Sequence, residues 1–430
     1  MKVSGWAGYP LIETKMSEIS WPEDVEHILF SPSLTVRGCG RSYGDSALGK
    51  NIATTRWLNR IDHFDHKKGI VKACAGISIE ELLKVTVPAG WFIPVTPGSK
   101  FVSLGGCVAS DVHGKNHHID GCFSQFICNL QIYTPKTGVI NCNENEHPDL
   151  FTATCGGMGL TGIILSVTLR LKKISTTAMS QTILRTSDLQ ETLELFSEYQ
   201  DSPYSVAWID SLATGKKQGR AVIMLGEHCE TGILEMTKAS SISVPENFPS
   251  ILLNSFSIKS FNSLYHFKAR PRKSLVHYEP FFYPLDGINN WNRLYGEKGF
   301  VQYQFVVPYE AGIEALQNIL EKISNSGFGS FLTVLKAFGE KNKNPLSFPL
   351  KGYTVALDFK ISPGLFEFLD NLDLFLLDIG GRLYLTKDAR MSENCFKLSY
   401  PEWEDFEDIR EKYGCTGRFS SLQSLRLGLA

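Results

Sequence analysis

Two glycine-rich segments carry the residues best suited to chemistry. The stretch Gly98–Gly121, GSKFVSLGGCVASDVHGKNHHIDG, sets glycines, histidines and lysines around one short apolar helical segment. That density suits a ligand held by main chain, because a backbone closes on a large rigid group only where no Cβ intervenes. Gly105, Gly106 and Gly114 are the residues for a wall against a ring system or a diphosphate. Upstream, VRGCGRSYGDSA (Val36–Ala47) ends an apolar strand-like run. Successive amide N–H groups in such a turn form an anion nest, which Arg37 and Arg41 can supplement. The spacing of Gly38, Gly40 and Gly44, with no helical period after it, is neither the dinucleotide fingerprint nor a P-loop, so a Rossmann domain is disfavoured.

Polar side chains also interrupt apolar strands in the second half. In FVQYQFVV the period of two puts Gln302 and Gln304 on one face and Tyr303 and Phe305 on the other. Lys336 breaks the run FLTVLKAFG, and in YTVALDFKI Thr354, Ala356 and Asp358 share a face. Such a face is either the solvated side of an antiparallel sheet or a sugar-binding wall. In GGRLYLTKDAR (Gly380–Arg390), Lys387 reads as part of an apolar strand that ends at Asp388. A lysine partly withdrawn from water loses its charge more easily and can act as a base or stabilise a developing alkoxide; paired with Asp388 at the surface it would do neither. His113, His117 and His118 invite a metal, but Gly114 falls inside the turn that would join His113 to His117, and no acidic ligand follows at motif spacing. We expect no metal, and read His113 as a cofactor contact or proton-transfer group.

The elements that must position these groups fall into two textures. Up to about residue 175, short strands (Leu34–Gly38, Ile70–Ala75) alternate with short helices (Ser78 to about Val85, His147–Thr154). A hairpin spans Leu130–Asn143, and a glycine turn feeds an apolar strand within Gly156–Leu171. Beyond Lys172 the helices lengthen: Ser187 caps one to Tyr199, and Ile313, Leu316, Leu320 and Ile323 share a helical face. Strands at Val206–Leu212, Arg220–Gly226, Phe300–Val307, Phe331–Phe338 and Tyr353–Ile361 predict an antiparallel sheet with helices on one face. Cys229–Lys273 reads as loops. The whole is α+β.

The 430 residues suffice for two domains, and 43% hydrophobic with 20% charged residues is ordinary globular composition. A net charge of −2 offers no footprint for nucleic acid. The N-terminus lacks a signal-peptide core, and no run approaches the roughly 18 apolar residues of a membrane span. Ten cysteines without CxxC spacing point to reduced thiols and the cytoplasm.

In order along the chain, RGCGRSYGD, HGKNHH, GGMGLTGII, SVAWID, GFVQYQFVVP, KAFG, PLSFP and GGRLYLTKDAR resemble the flavoenzymes of the vanillyl-alcohol-oxidase type, with a PCMH-type FAD-binding domain. Within them the resemblance is to the branch that oxidises polyprenyl-phosphoryl ribose as the FAD subunit of a two-enzyme epimerase of cell-wall biosynthesis. It implies an FAD-binding domain from residues 1–175, completed by 382–430, and an inserted substrate-binding domain at 176–381. It also implies non-covalent FAD. Val36, Arg37, Gly38, Cys39, Gly40, Arg41, Ser42, Tyr43, Gly44, Asp45 and Ser46 would hold the diphosphate. Gly98, Ser103, Leu104, Gly105, Gly106, Ser110, Asp111, Val112 and His113 would run along the rest, with Ile164 and Tyr384 completing the site. Tyr43, Trp208, Gln302, Gln304, Lys336, Thr354, Asp358 and Lys387 would line the flavin and sugar pocket, with Lys387 the first candidate base and His113 or Tyr43 the second.

The reaction so implied is oxidation of a sugar secondary hydroxyl to a ketone, namely the 2′-OH of a polyprenyl-phosphoryl-β-D-ribose, as the first half of an epimerisation finished by a short-chain reductase. A lipid-linked substrate implies visits by a cytoplasmic protein to the inner membrane surface. The rivals are a sugar-lactone or other carbohydrate oxidase on the same fold, acting on a small sugar, and a flavin-binding protein without turnover. Three positions depart from the branch: Ala356 replaces a cysteine, Thr354 an asparagine and Phe282 a tyrosine. Two of these lie beside the sugar pocket, so the exact sugar stays open.

Overall fold

The computed structural model describes residues 1–28, 33–236, 242–249 and 253–429. Its N-terminal part is built on a five-stranded antiparallel sheet in the order Gly138–Cys142, Ile127–Thr134, Ile163–Arg170, Ile70–Cys74, Ile61–Asp65. The central strand, IILSVTLR, is buried along nearly its whole length, as its continuous apolar run requires. The helix Ile79–Thr86 starts at a capping box in which Glu81 N–H donates to Ser78 Oγ (3.1 Å) and Ser78 N–H to the Glu81 carboxylate (2.7 Å). A small parallel sheet, ordered Lys15–Glu18, Asn51–Thr54, Thr35–Arg37, delivers the chain into the first glycine segment.

The last residues return to this part. Leu34 N–H donates to Arg418 O (2.9 Å), Ser420 N–H to Leu34 O (3.0 Å) and Leu422 N–H to Leu48 O (2.7 Å), and Arg426 pairs with Asp45 at 2.8 Å.

The second sheet has eight antiparallel strands, ordered Arg272–His277, Ala178–Arg185, Ala221–His228, Tyr204–Ile209, Thr333–Phe338, Gly352–Lys360, Phe300–Pro308, Arg382–Leu383. Helices Leu189–Glu198, Gly312–Ser326 and Leu365–Asp378 cover one face. There Phe196, Leu316, Ile319 and Leu372 pack into one cluster with Ile223, Tyr303, Phe305 and Leu357. Each such fully buried side chain contributes about 1.5–3 kcal/mol. The register sets Gln302 opposite Asp358, Gln304 opposite Ala356 and Lys336 opposite Thr354. Because side chains alternate, these polar groups all leave the sheet on the side away from the helices.

Three local expectations need correction. Asp188, not Ser187, caps the helix Leu189–Glu198: its carboxylate accepts from Glu191 N–H at 2.9 Å, while the Ser187 hydroxyl donates to the Glu191 side chain. The region Cys229–Lys273 holds a 14-residue helix, Ser255–Lys268, whose Asn254 cap accepts from the N–H groups of Phe256 and Ser257. Its apolar residues are exposed rather than gathered on a buried stripe, so periodicity could not reveal it; residues 237–241 and 250–252 of the region lie outside the described residues. Finally, Lys387 is not on a strand. Pairing ends at Leu383, and the N–H groups of Lys387 (3.0 Å) and Asp388 (3.1 Å) both donate to Tyr384 O, which curls the chain into a turn.

Candidate active site

A cavity of about 1010 Å³ lies between the two glycine segments and the polar face of the eight-stranded sheet. It stands at the top of the roughly 300–1,000 Å³ usual for ligand sites. The glycines are what let the segments meet. A Cβ on Gly38 would sit 2.0 Å from Ser103 Oγ of the second segment. Gly40, at φ +64°, would place one 2.2 Å from the Arg37 guanidinium.

Most residues expected around a cofactor line this cavity, from Val36 and Gly38 through Tyr43 and Ser46 to Gly98, Ser103, Gly105, Gly106, Ser110, Val112, His113, Ile164 and Tyr384. Five do not, and each is engaged in bracing the wall. Arg37 donates to Ser4 O (2.8 Å) and Ala47 O (3.2 Å); Gly44 abuts the Asp388 carbonyl; Asp45 pairs with Arg426; Leu104 is core. Asp111 accepts from Asn342, Asn344, Ser347 and the Ser124 N–H at 2.7–3.1 Å, which ties the histidine loop to the connection between strands Thr333–Phe338 and Gly352–Lys360.

Arg41 has a different role. Its guanidinium stacks 4.2 Å from the Trp6 ring centroid and makes no hydrogen bond among the described residues, although it lines the cavity and burial lowers its pKa. A planar fork of donors with no protein acceptor, beside the nest at Gly38–Ser42, fits an anionic diphosphate. The residues present therefore suit FAD.

Lys387 Nζ lies 3.6 Å from the centroid of the Tyr43 ring. Burial pulls the Lys387 pKa down, opposed by the nearby Asp358. Asp358 is buried, accepts from Gln302 Nε2 (2.5 Å) and Tyr295 OH (3.4 Å), and has its own pKa pushed up by burial. Tyr43 is held in its phenol form by burial and by Asp358 and Asp286.

Beside this pair, His113 touches Lys336 Nζ through Nδ1 and Gln304 Nε2 through Nε2, both at 3.1 Å. Burial, then Lys336, His117 and Lys387, lowers its pKa, so the ring is neutral. The Thr354 hydroxyl donates its one proton to Phe305 O (2.8 Å) and can therefore only accept from Gln304 Nε2 (3.3 Å). That aims the amide N–H at His113 Nε2, leaves the ring proton on Nδ1, and makes Lys336 its acceptor as a neutral amine. Burial and the neighbours Lys115 and Lys387 bring the Lys336 pKa down to about 7, consistent with that state.

Gln302, Gln304, Trp208 and Lys336 thus line the cavity, whereas Thr354 and Asp358 stand behind the two glutamines. Sequence reasoning passed over Lys115, half-buried in the HGKNHH segment with its pKa lowered to about 7, although that motif was the signal. It also missed Asp286, raised to about 6 by burial, and Trp291; both sit in 3₁₀ helices too short to show a period. Ala356 and Phe282 reach the cavity wall.

Two glycine-rich walls with an uncommitted arginine, and a half-buried lysine over Tyr43 in the same cofactor-sized cavity, are the arrangement of an FAD-dependent oxidoreductase. In keeping with this, residues 31–143, which contain both glycine segments, match the FAD binding domain family. The chain is 37% identical over 408 residues to decaprenylphosphoryl-β-D-ribose oxidase of Mycolicibacterium smegmatis, covering 91% of this chain and 88% of that one. It is also similar to a putative D-arabinono-1,4-lactone oxidase of Neurospora crassa (29% identity, 35% of this chain and 27% of that one). A third relative is the mitochondrial L-galactono-1,4-lactone dehydrogenase of Arabidopsis thaliana (23% identity, 39% and 28%). The chain belongs to the decaprenylphosphoryl-β-D-ribose oxidase family, and its cofactor is FAD.

Proposed function

We propose that this enzyme oxidises the 2′-hydroxyl of a polyprenyl-phosphoryl-β-D-ribose to a ketone. The observation that carries the reading is Lys387, a half-buried amine over Tyr43 between the first glycine segment and the polar sheet face. Bound FAD would supply a two-electron hydride acceptor. Lys387, kept short of full protonation by burial, takes the proton from the sugar hydroxyl. Tyr43 remains a phenol donor, and His113 remains neutral and orients Lys336. The side chains of Gln302 and Gln304 face the sugar. Lys115 regains charge when a phosphate enters, which ties binding to the phosphorylated end of the substrate.

In this reading residues 1–175 and 382–430 hold the cofactor and 176–381 the substrate. The ketone passes to a short-chain reductase that completes the epimerisation. All ten cysteines are free thiols, which supports a reducing, cytoplasmic setting. No helix among the described residues is long and apolar enough to cross a membrane, so a lipid-linked substrate is met at the membrane surface.

Anaerobic mixing with a polyprenyl-phosphoryl ribose tests the reading. The flavin absorbance should bleach, and the product should have lost two hydrogens from the ribose. Bleaching by aldonolactones alone would replace it with the lactone-oxidase reading, whose relatives match only 31–39% of the chain.

A further inference from the structure

The helix Ser255–Lys268 buries only Ile258 and Asn262. Phe256 is 80% exposed, Phe267 72% and, on the edge strand Arg272–His277 that follows, Leu275 74%; Phe261 and Leu264 are exposed as well. A protein alone in water seldom displays so many large apolar side chains on one element. The same stretch is strongly basic. Lys259, Lys268, Arg270, Arg272 and Lys273 are all exposed, none forms an ion pair among the described residues, and no Asp or Glu occurs between Asn254 and His277. Phe261 and Tyr265 are exposed and yet line the cavity, which places its opening against this helix.

We propose that the helix Ser255–Lys268 and the strand Arg272–His277 dock on an anionic lipid bilayer. Phe256, Leu264, Phe267 and Leu275 enter the boundary between headgroups and acyl chains, while the five cations stay among the headgroups. The cavity then opens toward the lipid, so that a prenyl tail reaches the bilayer without crossing water. Docking rests on the lipid-linked reading of the substrate for its purpose, but on the apolar and basic surface for its existence. A second copy of the chain is a poor occupant, because a two-fold contact through this face would set five cations against five cations.

Flotation of the FAD-loaded enzyme with vesicles of phosphatidylglycerol, and separately of phosphatidylcholine, tests the proposal. Binding to phosphatidylglycerol should exceed that to phosphatidylcholine by at least roughly 10-fold and fall in about 0.5 M salt. The double variant F256S/F267S should bind phosphatidylglycerol roughly 10-fold more weakly. It should keep its flavin spectrum and its rate of flavin reduction by a water-soluble, short-chain prenyl-phosphoryl ribose, since neither residue lines the cavity. R270S/R272S/K273S should lose the preference for anionic vesicles. Equal binding by the wild type and F256S/F267S, or no binding to phosphatidylglycerol, overturns the proposal. A dimer in sedimentation velocity that F256S/F267S abolishes also overturns it, and makes this face a contact between copies. If vesicles bind but the short-chain ribose does not reduce the flavin, the substrate reading fails and the docking stands.

Discussion

The side-chain amide nitrogen of Gln304 lies 3.1 Å from His113 Nε2, and the Thr354 hydroxyl behind it decides which end of the amide faces the ring. One hydroxyl proton, committed to Phe305 O, thereby sets the tautomer of a histidine on the far side of a glutamine.

Replacing Thr354 with Val removes that constraint and lets the amide turn over. The ¹⁵N shifts of His113 should report Nδ1–H in the wild type, and a mixture or the Nε2–H form in T354V. T354S should restore the wild-type spectrum. An Nε2–H ring in the wild type would refute the assignment. The lost hydrogen bond should lower stability by about 1 kcal/mol.

Lys387→Ala should leave FAD bound while slowing flavin reduction by at least roughly 10²-fold, the low end for removal of a positioned acid–base group. Near-normal stopped-flow kinetics would remove Lys387 from the chemistry.

The pH dependence follows from the same amine. Lys387 accepts a proton only when neutral, and burial lowers its pKa, so activity should fall on the acid side through a limb well below the ordinary lysine range. Asp358 favours the charged amine and so raises that pKa. Asp358→Asn should therefore move the acid limb of kcat/KM to lower pH; a shift to higher pH would mean that another group titrates.

Arg41→Ala should weaken FAD binding by roughly 10–100-fold, the worth of a charge-assisted hydrogen bond, and leave the fold intact because the guanidinium holds no other protein group by hydrogen bond among the described residues. Titration of the apoprotein with FAD measures it.

Ala356 stands opposite Gln304 on the cavity wall. In A356C the peptide carrying residue 356 should react with a small thiol reagent and be protected by substrate. Indifference to substrate would place that face outside the sugar pocket.

The polar sheet face was legible in the sequence because strand alternation fixes which residues emerge together: Gln302, Gln304, Lys336 and Ala356 needed only the period of two. The glycine wall of the cavity was legible because its glycines are crowded into a few residues. What alternation cannot supply is depth. Thr354 and Asp358 share the face of Ala356, yet a glutamine stands in front of each, so they position rather than line. Lys387 looked like a strand residue because RLYL is apolar and alternating, but two hydrogen bonds to Tyr384 O end the strand, and such a turn has no signature in side-chain type. The helix Ser255–Lys268 escaped for the opposite reason: its apolar residues face outward, and amphipathic periodicity presumes that they face in.

The salt bridge from Arg426 to Asp45 joins residues 381 positions apart, and it closes on the segment that forms the nest. During synthesis the first glycine segment leaves the ribosome long before the residues that brace it. Cofactor capture is therefore a late event, set by completion of the polypeptide rather than by emergence of the glycines. Contacts of such long sequence separation also fold slowly. A chain interrupted shortly before Arg418 would carry every glycine of the cradle and still lack the partners of Leu34, Leu48 and Asp45.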